Sequence, residues 1–128
     1  MNEKKKKIIK AISRLIIILM VVYAMLYPGL TPRRQIRANI LELTHIGSSM
    51  DLVNKVIEEN GNLRMMSRSN EHGYLYYRDP SGTVRIIGER FIKAQIGPAG
   101  LIIYLTVSWG FDENGILIDI YVERHFVL

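Results

Sequence analysis

The sequence predicts an α+β protein: an N-terminal transmembrane helix, then two helices packed on an antiparallel β-sheet as a two-layer sandwich. Three observations predict it. A cationic segment runs into an apolar stretch that stops at Pro28-Gly29. Residues 31–60 carry apolar side chains at helical spacing, and after Gly61 the spacing changes to strand-like alternation. Helices followed by a run of strands give the α+β class.

Lys4, Lys5, Lys6, Lys7, Lys10 and Arg14 precede the uninterrupted apolar run Leu15–Tyr27. With Glu3 they account for the whole formal net charge of +5, and residues 28–128 balance 11 Lys/Arg against 11 Asp/Glu. The basic character therefore belongs to the targeting segment and leaves no nucleic-acid footprint on the rest. Counted from Ile8, the stretch has the roughly 20 residues of a span, with Lys10 and Arg14 snorkelling to the headgroups. Val22-Tyr23-Ala24 is the one passable signal-peptide cleavage site, and bulky Met25-Leu26-Tyr27 follows it. An uncleaved anchor over residues 8–27 is the expectation. The lysines favour a cytoplasmic N-terminus over the competing Arg33, Arg34 and Arg37. Residues 1–30 read as basic tail, anchor and short linker, and 31–128 as one extracytoplasmic domain in the cell membrane. With no cysteine, that domain relies on its apolar core without disulfides.

Thr31-Pro32 starts the first domain helix, with threonine as N-cap and proline at the first helical position. Ile36, Ile40 and Leu43, with Leu41 beside them, form its apolar stripe, while Arg33 and Arg37 share another face. Ser48-Ser49-Met50-Asp51 opens a second helix whose apolar face is Met50, Val53, Val56 and Ile57. Asn60-Gly61 closes it, with Gly61 expected in the left-handed C′ position.

Strands are expected over Leu63–Arg68, Tyr74–Arg78, Thr83–Ile87 and Arg90–Ile96, with a type I turn at Asp79-Pro80-Ser81-Gly82, a bend at Gly88 and a loop at Gly97-Pro98-Ala99-Gly100. Leu101–Phe111 and Ile116–Glu123 form a long hairpin around Asp112-Glu113-Asn114-Gly115. Leu105, Val107, Trp109 and Phe111 share one face of its first strand. Ile116, Ile118, Ile120 and Val122 are expected to share a face of the second, opposite Leu117, Asp119, Tyr121 and Glu123.

Ile46-Gly47-Ser48-Ser49-Met50 with the apolar helix after it, then an antiparallel meander, resembles the fold of β-lactamase inhibitory proteins. It is similar also to the small lipoprotein of the outer-membrane barrel-assembly machinery, over roughly residues 33–123. Trp109-Gly110-Phe111-Asp112 and Leu117-Ile118-Asp119-Ile120 resemble runs in membrane-anchored proteins of Gram-positive bacteria. The resemblance implies a module that acts by protein contact. Without a lipid-attachment cysteine or a second repeat, neither lipoprotein anchoring nor a tandem inhibitor architecture carries over.

No catalytic, cofactor or metal constellation stands out. His45, His72 and His125 lack the spacing of a zinc site. Glu71-His72 has no nucleophile and oxyanion site beside it, Ser48 and Ser49 are explained by capping, and Ser108 by strand alternation. Asp112–Gly115 reaches glycine too early for a calcium loop. A non-enzymatic, membrane-tethered binding module of the cell envelope is the expected function, with an unidentified envelope protein as partner. An inhibitor or immunity protein for one enzyme is the alternative, and an envelope hydrolase the third. Candidate contacts are Tyr74, Tyr76, Arg85, Tyr104 and Tyr121, an aromatic-and-arginine set of interface composition. Arg33, Arg34 and Arg37 form a membrane-proximal basic set.

Overall fold

The computed structural model describes residues 2–26, 31–77, 82–97 and 103–126. The linker 27–30, most of the expected Asp79–Gly82 turn and most of the Gly97–Gly100 loop lie outside the described residues.

Helix α1 spans Glu3–Leu26 and its side chains are exposed as far as Tyr23. Ile9, Ile12, Ile16, Leu19 and Val22 are all at least 43% exposed, so no apolar stripe is shielded by the rest of the chain. Among the described residues no helix is long and apolar enough to cross a membrane. Lys10 and Arg14 interrupt the run, and the twelve residues Leu15–Leu26 measure only ~18 Å against a hydrocarbon core of ~30 Å. The expected transmembrane element is thus present as a helix, without a full-length apolar span.

Helix α2 covers Arg33–Leu43 and α3 covers Met50–Glu59. Pro32 itself is the N-cap of α2, with no side-chain hydrogen bond, so the expected threonine cap is not used. Ile36 and Ile40 are buried, whereas Leu43 stays 46% exposed and the core position passes to Thr44, which is fully buried. Ser49 caps α3 by accepting from the Leu52 amide at 3.2 Å. Met50, Val53 and Ile57 face the core as their spacing requires. Gly61 is not left-handed; Asn60 ends α3 instead, its N–H donating to Val56 O and its Oδ1 accepting from the Asn62 amide.

Strands β1 (Leu63–Ser69), β4 (Arg90–Ile96), β5 (Ile103–Phe111) and β6 (Leu117–Phe126) form an antiparallel sheet in the order β1-β4-β5-β6. Among the described residues strands β2 (Tyr74–Tyr77) and β3 (Val84–Ile87) pair only with each other, as a two-stranded ribbon. The helices close one face of the large sheet, where Ile92, Val107, Trp109 and Phe111 are fully buried. The ribbon closes part of the other, over Ser108 at 3% exposure, while Thr106 at 1% lies against the His125 imidazole, 2.9 Å from its Nε2. An antiparallel sheet with one wet face would have left them in water.

The β5–β6 hairpin turns as its sequence requires. Asp112 Oδ1 accepts from the amides of Asn114 and Ile116, both at 2.9 Å, and Gly115 takes the positive φ of +75°. Its carboxylate thus serves the turn. The β6 alternation needs correction. The register shifts beside Gly110/Phe111, so that Ile120 faces Trp109 while Leu117 faces Phe111. Ile118 falls in the irregularity, which puts Leu117 into the core at 1% exposure and leaves Ile116 and Ile118 outside at 37% and 45%. A β-bulge inverts the alternation on either side of it in this way. The segment before α3 is held against the start of β6 by Leu117 N–H to Ser48 O at 2.8 Å and Gly47 N–H to Leu117 O at 2.9 Å.

Candidate contact cleft

The basic residues of α2 and the tyrosines of β2 and β6 meet in one cleft. Arg33, Arg34 and Arg37 lie on the first two turns of α2, and Tyr76, Asp119 and Tyr121 complete the walls of a space of about 820 Å³. This convergence follows from topology. Helix α2 packs on β6 from the core side, and the ribbon reaches β6 from the opposite side, where Asp119 and Tyr121 alternate with buried Ile120 and Val122.

Asp119 joins the three elements. Arg37 Nη2 donates to its Oδ1 at 3.1 Å, the Tyr74 hydroxyl donates to Oδ2 at 3.5 Å, and the Ile120 amide donates to Oδ1 at 2.9 Å. Arg37 Nε also reaches Ile120 O at 3.5 Å. Among the described residues no strand pairs with the outer side of β6, and both backbone groups of Ile120 are occupied by side chains where an incoming strand would pair. Arg124, further along, donates to Thr31 O at 3.1 Å. The opposite edge, β1, carries its own irregularity between Met65 and Ser67. Side-chain capping and bulges of this kind blunt sheet edges, so strand addition is obstructed at both.

The tyrosines are tied to one another. Tyr74 and Tyr121 stack at 6.4 Å between ring centroids, and Tyr76 meets Tyr121 edge-on at 4.5 Å. Tyr74 is only 4% exposed. Burial first, and then the Asp119 carboxylate, push its phenol well above the usual tyrosine range. It therefore supports the cleft from below and is not part of its lining. Tyr76 and Tyr121 are partly exposed in the wall. Arg85 faces Tyr76 across the ribbon and is exposed. Tyr104 is elsewhere, stacked on His125 at 4.7 Å, four residues along β6 from Tyr121. The five candidate contacts thus divide: Tyr76 and Tyr121 line the cleft, Arg85 lies across from Tyr76, Tyr74 is internal and Tyr104 is apart.

The cleft holds three guanidinium groups against one carboxylate, which Arg37 already engages. Arg33 and Arg34 have no ion-pair partner among the described residues. Planar guanidinium forks beside phenol hydroxyls suit carboxylate-bearing or otherwise anionic groups.

Sequence reasoning treated His72, Ser108 and His125 as unrelated positions, yet they line a second space, of about 360 Å³, under the ribbon. The Nδ1–H of His72 donates to Gly73 O at 2.9 Å and its ring lies 5.4 Å from that of Phe91. Ser69 Oγ accepts the amides of both Glu71 and His72. His125 Nε2 lies 2.9 Å from Thr106 Oγ1 and 3.7 Å from Glu123 Oε2. Burial lowers the basicity of that imidazole, with Glu123 opposing and Lys93 reinforcing the shift. The signal available in the sequence was the even-numbered alternation of β5 with the odd-numbered alternation of β6, which puts Ser108, Glu123 and His125 on one face. Among the described residues no group of three or more His, Cys, Asp or Glu is arranged to hold a metal ion.

No protein-family model matches the chain, and no curated protein or solved structure matches it either.

Proposed function

We propose that this chain is a membrane-tethered binding module of the bacterial cell envelope that engages an acidic protein surface through the Arg33–Arg34–Arg37 and Tyr76–Tyr121 cleft, without turnover. The observation that carries the reading is the convergence, in one cleft, of two unpaired arginines with two partly exposed tyrosines. Arginine and tyrosine are the side chains most often energetically dominant in protein contacts. Tyr76 and Tyr121 are already held by ring packing, so little rotamer freedom is lost when a partner docks.

The tether is the second half of the proposal. From Leu15 to Tyr23 helix α1 is apolar all round with its side chains exposed, and a helix surface of that kind is buried in a lipid or protein environment. Helix α1 inserts from Ile8 onward, with Lys10 and Arg14 extended to the cytoplasmic headgroups and residues 31–128 outside. The seven residue steps from Leu26 to Arg33 span at most ~25 Å, so the cleft is held close to the bilayer.

Photo-crosslinking in intact cells tests the reading. A photoreactive residue replacing Arg34 or Tyr76 should capture the same polypeptide, and one replacing exposed Ile118 on the register irregularity should not. Arg33→Ala with Arg34→Ala should lower that yield at least tenfold, about 1.4 kcal/mol. Equal capture from all three positions defeats the cleft. Full release of the chain by alkaline carbonate defeats the tether separately.

A further inference from the structure

The space beneath the ribbon has the chemistry of a small-molecule site, and it stands independently of the cleft. Its volume of about 360 Å³ falls at the lower end of the roughly 300–1,000 Å³ typical of ligand pockets. Its lining carries both signs of charge, in Lys93 and Glu123. Lys93 and Ser108 are direct cross-strand partners on β4 and β5, so their side chains leave the same face roughly 5 Å apart at Cβ. Ser108 is 3% exposed, and its hydroxyl has no hydrogen-bond partner among the described residues. Lys93 has no ion-pair partner among them either. Two donors therefore line the space with no acceptor among the described residues. One row along the same face Glu123, opposite Thr106 and with its side chain 23% exposed, has among the described residues only the imidazole of His125 as an ion-pair partner, at 3.7 Å. The rings of Phe91, opposite Gly110, and Tyr74, beside Gly110, line the side of the Lys93–Ser108 row away from Glu123.

Charge selects the ligand. Glu123 disfavours a dianion, and Lys93 disfavours a plain cation; a molecule bearing one charge of each sign satisfies both. We infer that the cavity binds a small zwitterion, an α-amino acid with an apolar side chain. Its carboxylate accepts from Lys93 Nζ and Ser108 Oγ, its ammonium donates to Glu123, and its side chain lies against Phe91 and Tyr74. The ribbon forms the roof, so the ligand sits between β2 and the large sheet.

Equilibrium dialysis of the full chain in detergent micelles with radiolabelled L-leucine provides the test. Saturable binding near one per chain is expected, with a Kd below ~1 mM. Leucinamide lacks the carboxylate and 4-methylpentanoate lacks the ammonium, so each should compete at least tenfold more weakly than leucine. Lys93→Met and Glu123→Gln should each raise the leucine Kd at least tenfold with an unchanged melting temperature. Lys93→Met alone should abolish the advantage of leucine over leucinamide. Absence of saturable leucine binding up to ~10 mM overturns the proposal. So does equal competition by all three compounds, which would leave an apolar crevice without charge recognition.

Discussion

The indole Nε1–H of Trp109 donates to Thr44 Oγ1 at 2.9 Å, and the Thr44 hydroxyl in turn donates to Ile40 O at the same distance. Neither side chain is exposed. The strongest strand is thereby latched to the last turn of α2, and the one polar atom of the indole is satisfied inside the core. Thr44→Val keeps the shape but leaves Nε1 unpaired, so it should cost about 1–3 kcal/mol. Trp109→Ala removes the largest core side chain and should cost on the order of 3–5 kcal/mol. Urea unfolding followed by circular dichroism measures both. Trp109→Phe combined with Thr44→Val should cost less than the two single changes together, because no donor is then stranded.

Gly110 is where the ribbon lies closest to the sheet. A Cβ there would stand 2.8 Å from Tyr74 Cε1 and 3.2 Å from the Ile87 carbonyl oxygen. Tyr74 is fixed by Tyr121 and Asp119, and the carbonyl belongs to the ribbon backbone, so neither neighbour yields easily. Gly110→Ala should cost about 1–3 kcal/mol, as overpacking does. It should also speed hydrogen exchange at Tyr74–Tyr77 while leaving α3 protected. Uniform loss of protection would mean that the ribbon is no separate unit.

These two relationships differ in how far they could be read from residues. The Trp109 face was legible because alternation in β5 is unbroken and strongly apolar. The α3 cap was legible because serine and the apolar spacing after it act locally. The ribbon on the other face of the sheet was not. Period-2 alternation tells which residues share a face, and nothing in it tells that β2 and β3 leave the sheet and return across the back of β5. That crossing is what buries Tyr74 and gathers Ser108, Lys93 and Glu123. The Ile118 irregularity was hidden for a related reason, since Ile116 through Ile120 contains apolar residues at both parities. The meeting of Arg37 with Asp119 joins residues 82 positions apart, and no local pattern encodes it.

His125 supplies a pH prediction. Its imidazole is less basic in the folded protein than in the unfolded chain, so below pH ~6.5 the unfolded chain takes up the proton first. Stability should be undiminished by this group above that pH and fall as pH drops through the window beneath it. Thermal melts of the wild type and His125→Gln between pH 7.5 and 5.5 should diverge, with the variant losing less. Parallel curves would show that His125 is free to titrate in the fold.

Tyr74 gives the alkaline counterpart. Its folded phenol is less acidic than an unfolded one, so its contribution is complete below pH ~10 and is lost as pH rises beyond it. Tyr74→Phe removes the titration and also the hydrogen bond to Asp119. The variant should begin less stable at neutral pH and lose less between about pH 9.5 and 11. An identical alkaline slope would assign the loss to the other tyrosines.

The Arg37–Asp119 pair bears most directly on how the domain avoids wrong partners. Both side chains are nearly half exposed, and a solvent-exposed ion pair contributes only about 0–1 kcal/mol. Its larger role is positional, because the two residues together occupy both backbone groups of Ile120 on an unpaired edge. Asp119→Ala with Arg37→Ala should therefore lower the melting temperature mainly through the Tyr74 hydroxyl it leaves unpaired, and expose a row of backbone donors and acceptors flanked by Ile118. An edge so uncovered recruits another copy of itself. Sedimentation of the full chain in detergent should show concentration-dependent association of the double variant under conditions where the wild type holds its sedimentation coefficient. Cross-links should join β6 to β6. A double variant that sediments like the wild type at every concentration would return the pair to ordinary surface electrostatics and leave the blunted edge unexplained by it.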